Sequence, residues 1–135
     1  VKDRLKLKEM RCEVFLDEEL FHVDADCELI NLALTNIAVN AIEAMEPGIG
    51  ILTVRAKQAG EGLVLEITDN GKGIAAAEID RLFQPFYSSR SGGLGLGLTT
   101  TRSILHGHGI KLQVRSELGK GSTFTLRFPK ALVTA

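Results

Sequence analysis

Apolar residues recur at Ile30, Leu34, Ala38, Ala41, Ile42 and Met45, spacings close to a helical turn that put a broad stripe on one side of a helix. Asp24 or Asp26 stands where an N-cap belongs, and Pro47-Gly48 closes the segment. Downstream the period changes to two. Leu52, Val54 and Ala56 alternate with Thr53, Arg55 and Lys57, then Ala59-Gly60-Glu61-Gly62 turns the chain into Leu63–Asp69, which predicts a hairpin. A short helix fits Ala76 to Leu82, and residues 84–97 read as a loop. A second long helix fits Leu98 to His106, ended by Gly107 and Gly109. Lys111–Glu117 and Ser122–Phe128 alternate again, joined by Gly119-Lys120-Gly121. Cys12 to Leu16 fits a short edge strand, and the charged residues 1–10 read as a linker or the end of an upstream helix. Hairpins with helices between them predict an α+β fold, one sheet covered on one side by helices.

Some polar residues break this pattern. Asn36 and Asn40 lie one turn apart on the other face of the first helix, and Glu43 falls on that face too. A core helix with an amide face suits a polar ligand; Glu43 either tunes that site or sits on a solvated helix end. Asp69 is in phase with Leu63, Leu65 and Ile67, so a carboxylate is aimed at the interior at the end of an apolar stripe. Such a group is costly unless hydrogen bonded. Two readings stand: a turn residue, since Asp-Asn-Gly is strong turn chemistry, or an acceptor for a ligand bearing a donor such as an exocyclic amino group.

Composition narrows the classes. The chain has 135 residues, enough for one domain, and 44% of them are hydrophobic. Sixteen basic and seventeen acidic residues leave a formal charge of −1, and the aromatics are six phenylalanines and one tyrosine, so nucleic-acid binding is disfavoured. No apolar run is long enough to span a bilayer and the N-terminus has no signal-peptide core, so the fragment is expected to be cytoplasmic, without membrane contact of its own. Cys12 and Cys27 lack CxxC spacing and read as reduced structural thiols. The missing initial Met suggests a piece of something longer.

Glycines then bring in the chemistry. Gly71-Lys72-Gly73-Ile74-Ala75-Ala76 matches a GxGxxA dinucleotide pattern only weakly, since Asp69 just before it would repel a pyrophosphate and no strand–helix–strand continuation follows. No GxxxxGK[ST] is present, which excludes a P-loop. Gly92-Gly93-Leu94-Gly95-Leu96-Gly97-Leu98 runs into a helix, whose exposed amides suit phosphate; its leucines argue against a plain flexible linker.

Taken in order, these segments resemble the four boxes of the catalytic, ATP-binding domain of a bacterial sensor histidine kinase, in the wider family that includes gyrase, Hsp90 and MutL. Asn36-x-x-x-Asn40-Ala41-Ile42-Glu43 resembles the N box, Asp69-Asn70-Gly71-Lys72-Gly73-Ile74 the G1 box, Leu82 to Arg90 the F box, and Gly93 to Leu98 the G2 box. The closing Gly119-Lys120-Gly121-Ser122-Thr123-Phe124 is also typical, and the likeness covers roughly residues 11–130. It implies an α+β two-layer sandwich, a mixed, mostly antiparallel sheet with about three helices on one face (the Bergerat-type ATP-binding fold), as one catalytic domain over 11–135. It also implies transfer of the γ-phosphoryl group of Mg²⁺·ATP to a histidine on a separate dimerisation domain, with a response regulator receiver domain as the next partner. The whole kinase can still be membrane-anchored.

The resemblance assigns roles residue by residue. Asn36 would hold Mg²⁺, and Asn40 would contact the metal or the phosphates. Asp69 would accept from the adenine amino group, with Ser122 as a second partner. Gly71, Gly73 and Ile74 would lie along the base. Residues from about 75 to 93 would form a lid, pinned by Phe83 and Phe86. Gly93, Gly95, Leu96, Gly97 and Leu98 would let helix amides meet the phosphates. Arg90 would clamp the γ-phosphate or sit as a solvated loop charge. Asn36 stands where the ATP-hydrolysing branch resembles a glutamate, and an amide cannot take a proton from water, which favours transfer to a protein. Two departures stand out: Leu94 replaces the usual hydroxyl residue, and none of His22, His106 and His108 has the acidic follower of a phosphoacceptor. His106 and His108 fit a helix C-terminus, where a cation is favourable. A nucleotide-binding module without transfer and a gyrase-type ATPase are the alternative readings.

Overall fold

The computed structural model describes residues 11–16, 22–23, 26–59, 62–82, 97–129 and 133–134; the residues 1–10 read as a linker lie outside them. Five strands form one sheet in the order β1 (Arg11–Leu16), β3 (Ile51–Ala59), β4 (Gly62–Asp69), β6 (Gly121–Phe128), β5 (Lys111–Glu117). β1 lies parallel to β3 at one edge, and the other neighbours are antiparallel. The α+β expectation of a mixed, mostly antiparallel sheet therefore holds, with three helices described: α1 (Cys27–Ala44), α2 (Ala76–Ile79) and α3 (Gly97–Gly107). A separate two-stranded pairing of β2 (His22–Val23) with β7 (Val133–Thr134) was not expected; strands of two residues leave no alternation to read.

Register explains the layering. Leu52, Val54 and Ala56 share a face with Leu65, Ile67 and Asp69, and through β6 with Ser122, Phe124, Leu126 and Phe128. Ile67, Phe124, Leu126 and Phe128 on that face are buried, and they form one core with Ala33, Ile37, Ala41, Ile42 and Met45 of α1 and Ile104 and Leu105 of α3. The apolar stripe of α1 is thus wider than the sequence spacing suggested, since Ala33 and Ile37 are fully buried. The opposite sheet face is polar apart from buried Val64: Thr68 and Thr123 bond hydroxyl to hydroxyl at 3.1 Å, and Glu66 meets Lys57 and Arg115.

The ends of α1 and α3 are chemically specified. Asp26 is the N-cap of α1; its Oδ1 accepts from the amides of Glu28 and Leu29, both at 3.1 Å. α1 stops at Ala44, just short of Pro47, and Met45 is already extended. α2 ends at Ile79 rather than Leu82, because its last turn tightens to bonds from Arg81 to Glu78 and from Leu82 to Ile79. α3 and α1 pack together, and His108 joins them. Its Nδ1 lies 2.8 Å from the Ile104 carbonyl, and its Nε2 accepts the Asp26 amide at 3.3 Å. That pairing needs a proton on Nδ1 and a lone pair on Nε2, a neutral ring. His108 is therefore a cross-helix acceptor, not the helix-end cation that its position suggested.

Candidate functional site

The site lies at one end of the sheet, where three apolar stripes all end in polar residues. On β4, Ile67 is followed in phase by Asp69; on β6, Phe124 is preceded by Ser122; on β5, Val114 is followed by Ser116. Asp69, Ser122 and Ser116 stand opposite one another in a single cross-strand row. Asp69 and Ser122 are only 3% and 6% exposed, so both polar groups belong to the interior.

The turn reading of Asp69 is met here. Its Oδ1 accepts the Gly71 amide at 2.9 Å, which is turn chemistry, and the carboxylate also takes the Ser122 amide. Burial nevertheless dominates and pushes the Asp69 carboxyl above its ordinary value, with the Gly71 and Ser122 amides acting in the other direction. It is a buried acceptor held in place by backbone donors.

The loop after β4 is stitched to both neighbours. The Lys72 amide donates to the Ala44 carbonyl at the end of α1 (3.0 Å), and the Lys72 carbonyl accepts from Gly119 in the β5–β6 turn (2.8 Å). Asn70 fixes the entry to β3 by accepting from Ile51 N–H and donating to the Ile49 carbonyl. This bonding leaves no room beside the glycines. A Cβ on Gly71 would collide with the Ala44 carbonyl, and one on Gly73, whose φ is 76°, with the Glu117 carbonyl. Their bare Cα atoms are therefore required first by the protein's own backbone.

Between this loop and α1 lies a narrow cleft with a cavity volume of about 20 Å³. Asp69 and Ser122 line it with Ala44, Ile74 and Leu82 as apolar walls, and Asn40, Lys72 and Gly73 complete the described lining. The structure thus brings together Asn40, Asp69, Gly73, Ile74 and Ser122. Asn36 is half-buried one turn back along α1, outside that lining, and Gly71 stands just behind it. Gly97 opens α3, and Leu98 packs against the core. Phe83, Phe86, Arg90, Gly93, Gly95 and Leu96, and with them most of the expected lid, lie outside the described residues. Two other clefts border α3, with Arg102 and Leu112 in both, but neither includes Asp69 or the helix asparagines.

Sequence reasoning passed over Ser116. The signal was present: Leu112, Val114 and Ser116 alternate as Leu65, Ile67 and Asp69 do. Lys72 was missed for a different reason, because it works through its backbone and its side chain is exposed.

A half-apolar cleft with a buried acceptor, beside a helix bearing amides, has the lining of a small-molecule site. Residues 25–132 match the family described as histidine kinase-, DNA gyrase B- and HSP90-like ATPase, and the chain belongs to that family. It is similar to sensor histidine kinase ZraS of Escherichia coli (strain K12), 38% identical over 122 residues, 90% of this chain and 26% of that protein. It is also similar to sporulation kinase B of Bacillus subtilis (strain 168), 36% identical over 79% of this chain and 25% of that protein. The chain therefore spans about a quarter of the length of these curated relatives. Among solved structures, the catalytic domain of histidine kinase ThkA superposes with a TM-score of 0.84 at 25% identity, over 96% of this chain and 84% of that one. Full-length ShkA in complex with AMPPNP gives 0.84 at 25% identity, over 98% of this chain and 28% of that one.

Proposed function

We propose that this chain is the catalytic domain of a protein-histidine kinase in two-component signalling. It binds Mg²⁺·ATP and hands the γ-phosphoryl group to a histidine on a dimerisation domain, from which a response regulator's receiver domain takes it. The observation that carries this reading is Asp69, a buried carboxylate at the head of a cleft that Asn40 of α1 also lines. Its free acceptor capacity suits the exocyclic amino group of adenine. The full-length neighbour ShkA was solved with AMPPNP, an ATP-like ligand, which supports the same occupant.

The residues then divide the nucleotide. Asp69 and Ser122 take the base edge, while Ile74, with the backbone at Gly71 and Gly73, takes its plane. Asn36 and Asn40 face the triphosphate, and the amides opening α3 at Gly97 and Leu98 meet its oxygens. Phe83, Phe86, Arg90, Gly93, Gly95 and Leu96 are assigned to the lid and the γ-phosphate on the family likeness alone. Among the described residues no cluster of carboxylates, histidines or cysteines could hold a metal by itself. Neutral amide oxygens of Asn36 and Asn40 fit a hard cation whose remaining ligands are phosphate and water. When bound, Mg²⁺ would neutralise phosphate charge. In the transfer the bond between the γ-phosphorus and the β,γ-bridging oxygen breaks, a phosphorus–nitrogen bond forms on the acceptor imidazole, ADP leaves, and the imidazole gives up a proton. Positioning and charge neutralisation are the demands on the protein.

The test mixes this domain with the dimerisation domain of its own kinase and γ-labelled ATP. Acid-labile label on the partner is the expected result. Nucleotide binding without transfer would leave a regulatory module instead, and rapid phosphate release by the isolated domain would indicate an ATPase.

A further inference from the structure

Ser116 sits at the end of the row that contains Asp69 and Ser122. Its hydroxyl makes three contacts. It accepts the Ile74 amide at 2.7 Å, donates to the Gly121 carbonyl at 2.9 Å, and lies 2.7 Å from the Ser122 hydroxyl. A hydroxyl carries one proton, and a carbonyl can only accept. The Ser116 proton is therefore committed to Gly121. The bond between the two hydroxyls must then run from Ser122 to Ser116. Ser122 has no proton left, and lone pairs are all its hydroxyl can turn toward the cleft. Asp69 beside it is likewise an acceptor when ionised. Both buried polar groups at the head of the cleft thus ask for donors.

We propose that Ser116 is a positioning residue that makes Ser122 an obligate acceptor, so that the site selects a base with an exocyclic amino group and rejects the matching keto base. This rests on the nucleotide reading above and adds the basis of base selection. A keto oxygen placed against two acceptors would leave lone pairs facing one another at that position. The site would reject it by polarity, since a keto group and an amino group are close in size. Ile74 is held by the same hydroxyl, so the apolar wall under the base and the polarity of its edge are set from one atom.

ATP and inosine triphosphate differ along the same base edge: an amino group becomes a keto group at ring position six, and N1 changes from an acceptor to a donor, which makes the pair a direct probe of that edge. Calorimetric titration of this chain, with Mg²⁺, should show ATP binding about tenfold or more tighter than inosine triphosphate. Ser116→Ala frees the Ser122 proton to rotate toward the cleft, so the ratio should fall severalfold, with both nucleotides still bound and Asp69 keeping the remaining preference. Ser116→Thr keeps a hydroxyl and should keep the ratio. A residue that merely braced the β5–β6 hairpin would weaken both nucleotides equally. An unchanged ratio, or an equal loss for both, overturns the proposal. If Ser116→Ala fails to fold, Ser122→Ala removes the acceptor itself and must lower the ratio; an unchanged ratio there overturns it as well. Equal binding of the two nucleotides by the unsubstituted chain defeats base selection alone, whereas binding of neither defeats the nucleotide reading on which it rests.

Discussion

At the scale of the residue, Asp69 carries two opposed demands. The proposed function needs an ionised acceptor inside the protein, and burial disfavours that ionised form. The Gly71 and Ser122 amides offset part of this and leave the carboxyl raised. A raised carboxyl stabilises the fold only while it stays protonated, so ionised Asp69 costs stability at neutral pH. Asp69→Asn should therefore lower ATP affinity by about 100-fold or more, because an amide donor would face the amino donor of the base. It should not lower the melting temperature of the nucleotide-free domain at pH 7.5, and its advantage over the parent should shrink as pH falls toward the ordinary carboxyl value of 3.8. Melting curves across that range check the sign; an Asn variant that melts lower at neutral pH would contradict it. Asp69 was legible in the sequence because strand phase alone puts it inside. Gly71 and Gly73 were legible only as glycines. What occupies the space beside them is backbone from Ala44 and Glu117, and no local pattern names a neighbour so distant in the chain.

At the scale of the element, the long helices and the four antiparallel strands could be read from period and caps, and their ends fell within a few residues. The bonds between elements could not. Asp26 was one of two candidate caps; that its own amide is held by His108 depends on where α3 ends in space. His108 was read as a helix-end charge because sequence position shows the nearest dipole, not the donor from another helix. This joint links the helix bearing Asn36 and Asn40 to the helix that begins at Gly97, so it sets the spacing of the proposed phosphate walls. Asp26→Ala removes an acceptor for two amides and should cost about 1 kcal/mol, as lost N-caps do. His108→Ala leaves the cap in place and removes the cross-helix bond. It should lower stability by a similar ~1 kcal/mol, the usual worth of one such bond. The combined variant should lose less than the sum, since both act on the same end of α1. Urea titrations of the three variants test this; strict additivity would show that the cap and the joint are independent.

At the scale of the whole molecule, the site is built by two different parts of the fold. The proposed base end would come from the sheet: β4, β6 and β5 each end an apolar stripe in a polar group, and the loop after β4 is bonded to the hairpin turn. The proposed phosphate end would come from one face of α1 and the start of α3, with no clustered metal ligands among the described residues. A metal would then depend on the triphosphate for most of its ligands. This division predicts that affinity splits. Adenosine should bind weakly and equally with or without Mg²⁺, because it reaches only the sheet end. ATP should bind more tightly when Mg²⁺ is present. Asn36→Ala should erase most of that Mg²⁺-dependent gain and leave adenosine affinity within about twofold of the parent, since sites without shared partners act almost additively. Asp69→Asn should weaken both ligands. Parallel titrations of adenosine and ATP, each with Mg²⁺ and with a chelator, separate the two ends. A loss of adenosine affinity in Asn36→Ala equal to its loss for ATP would mean that α1 shapes the base cleft itself, and that the division between helix and sheet is wrong.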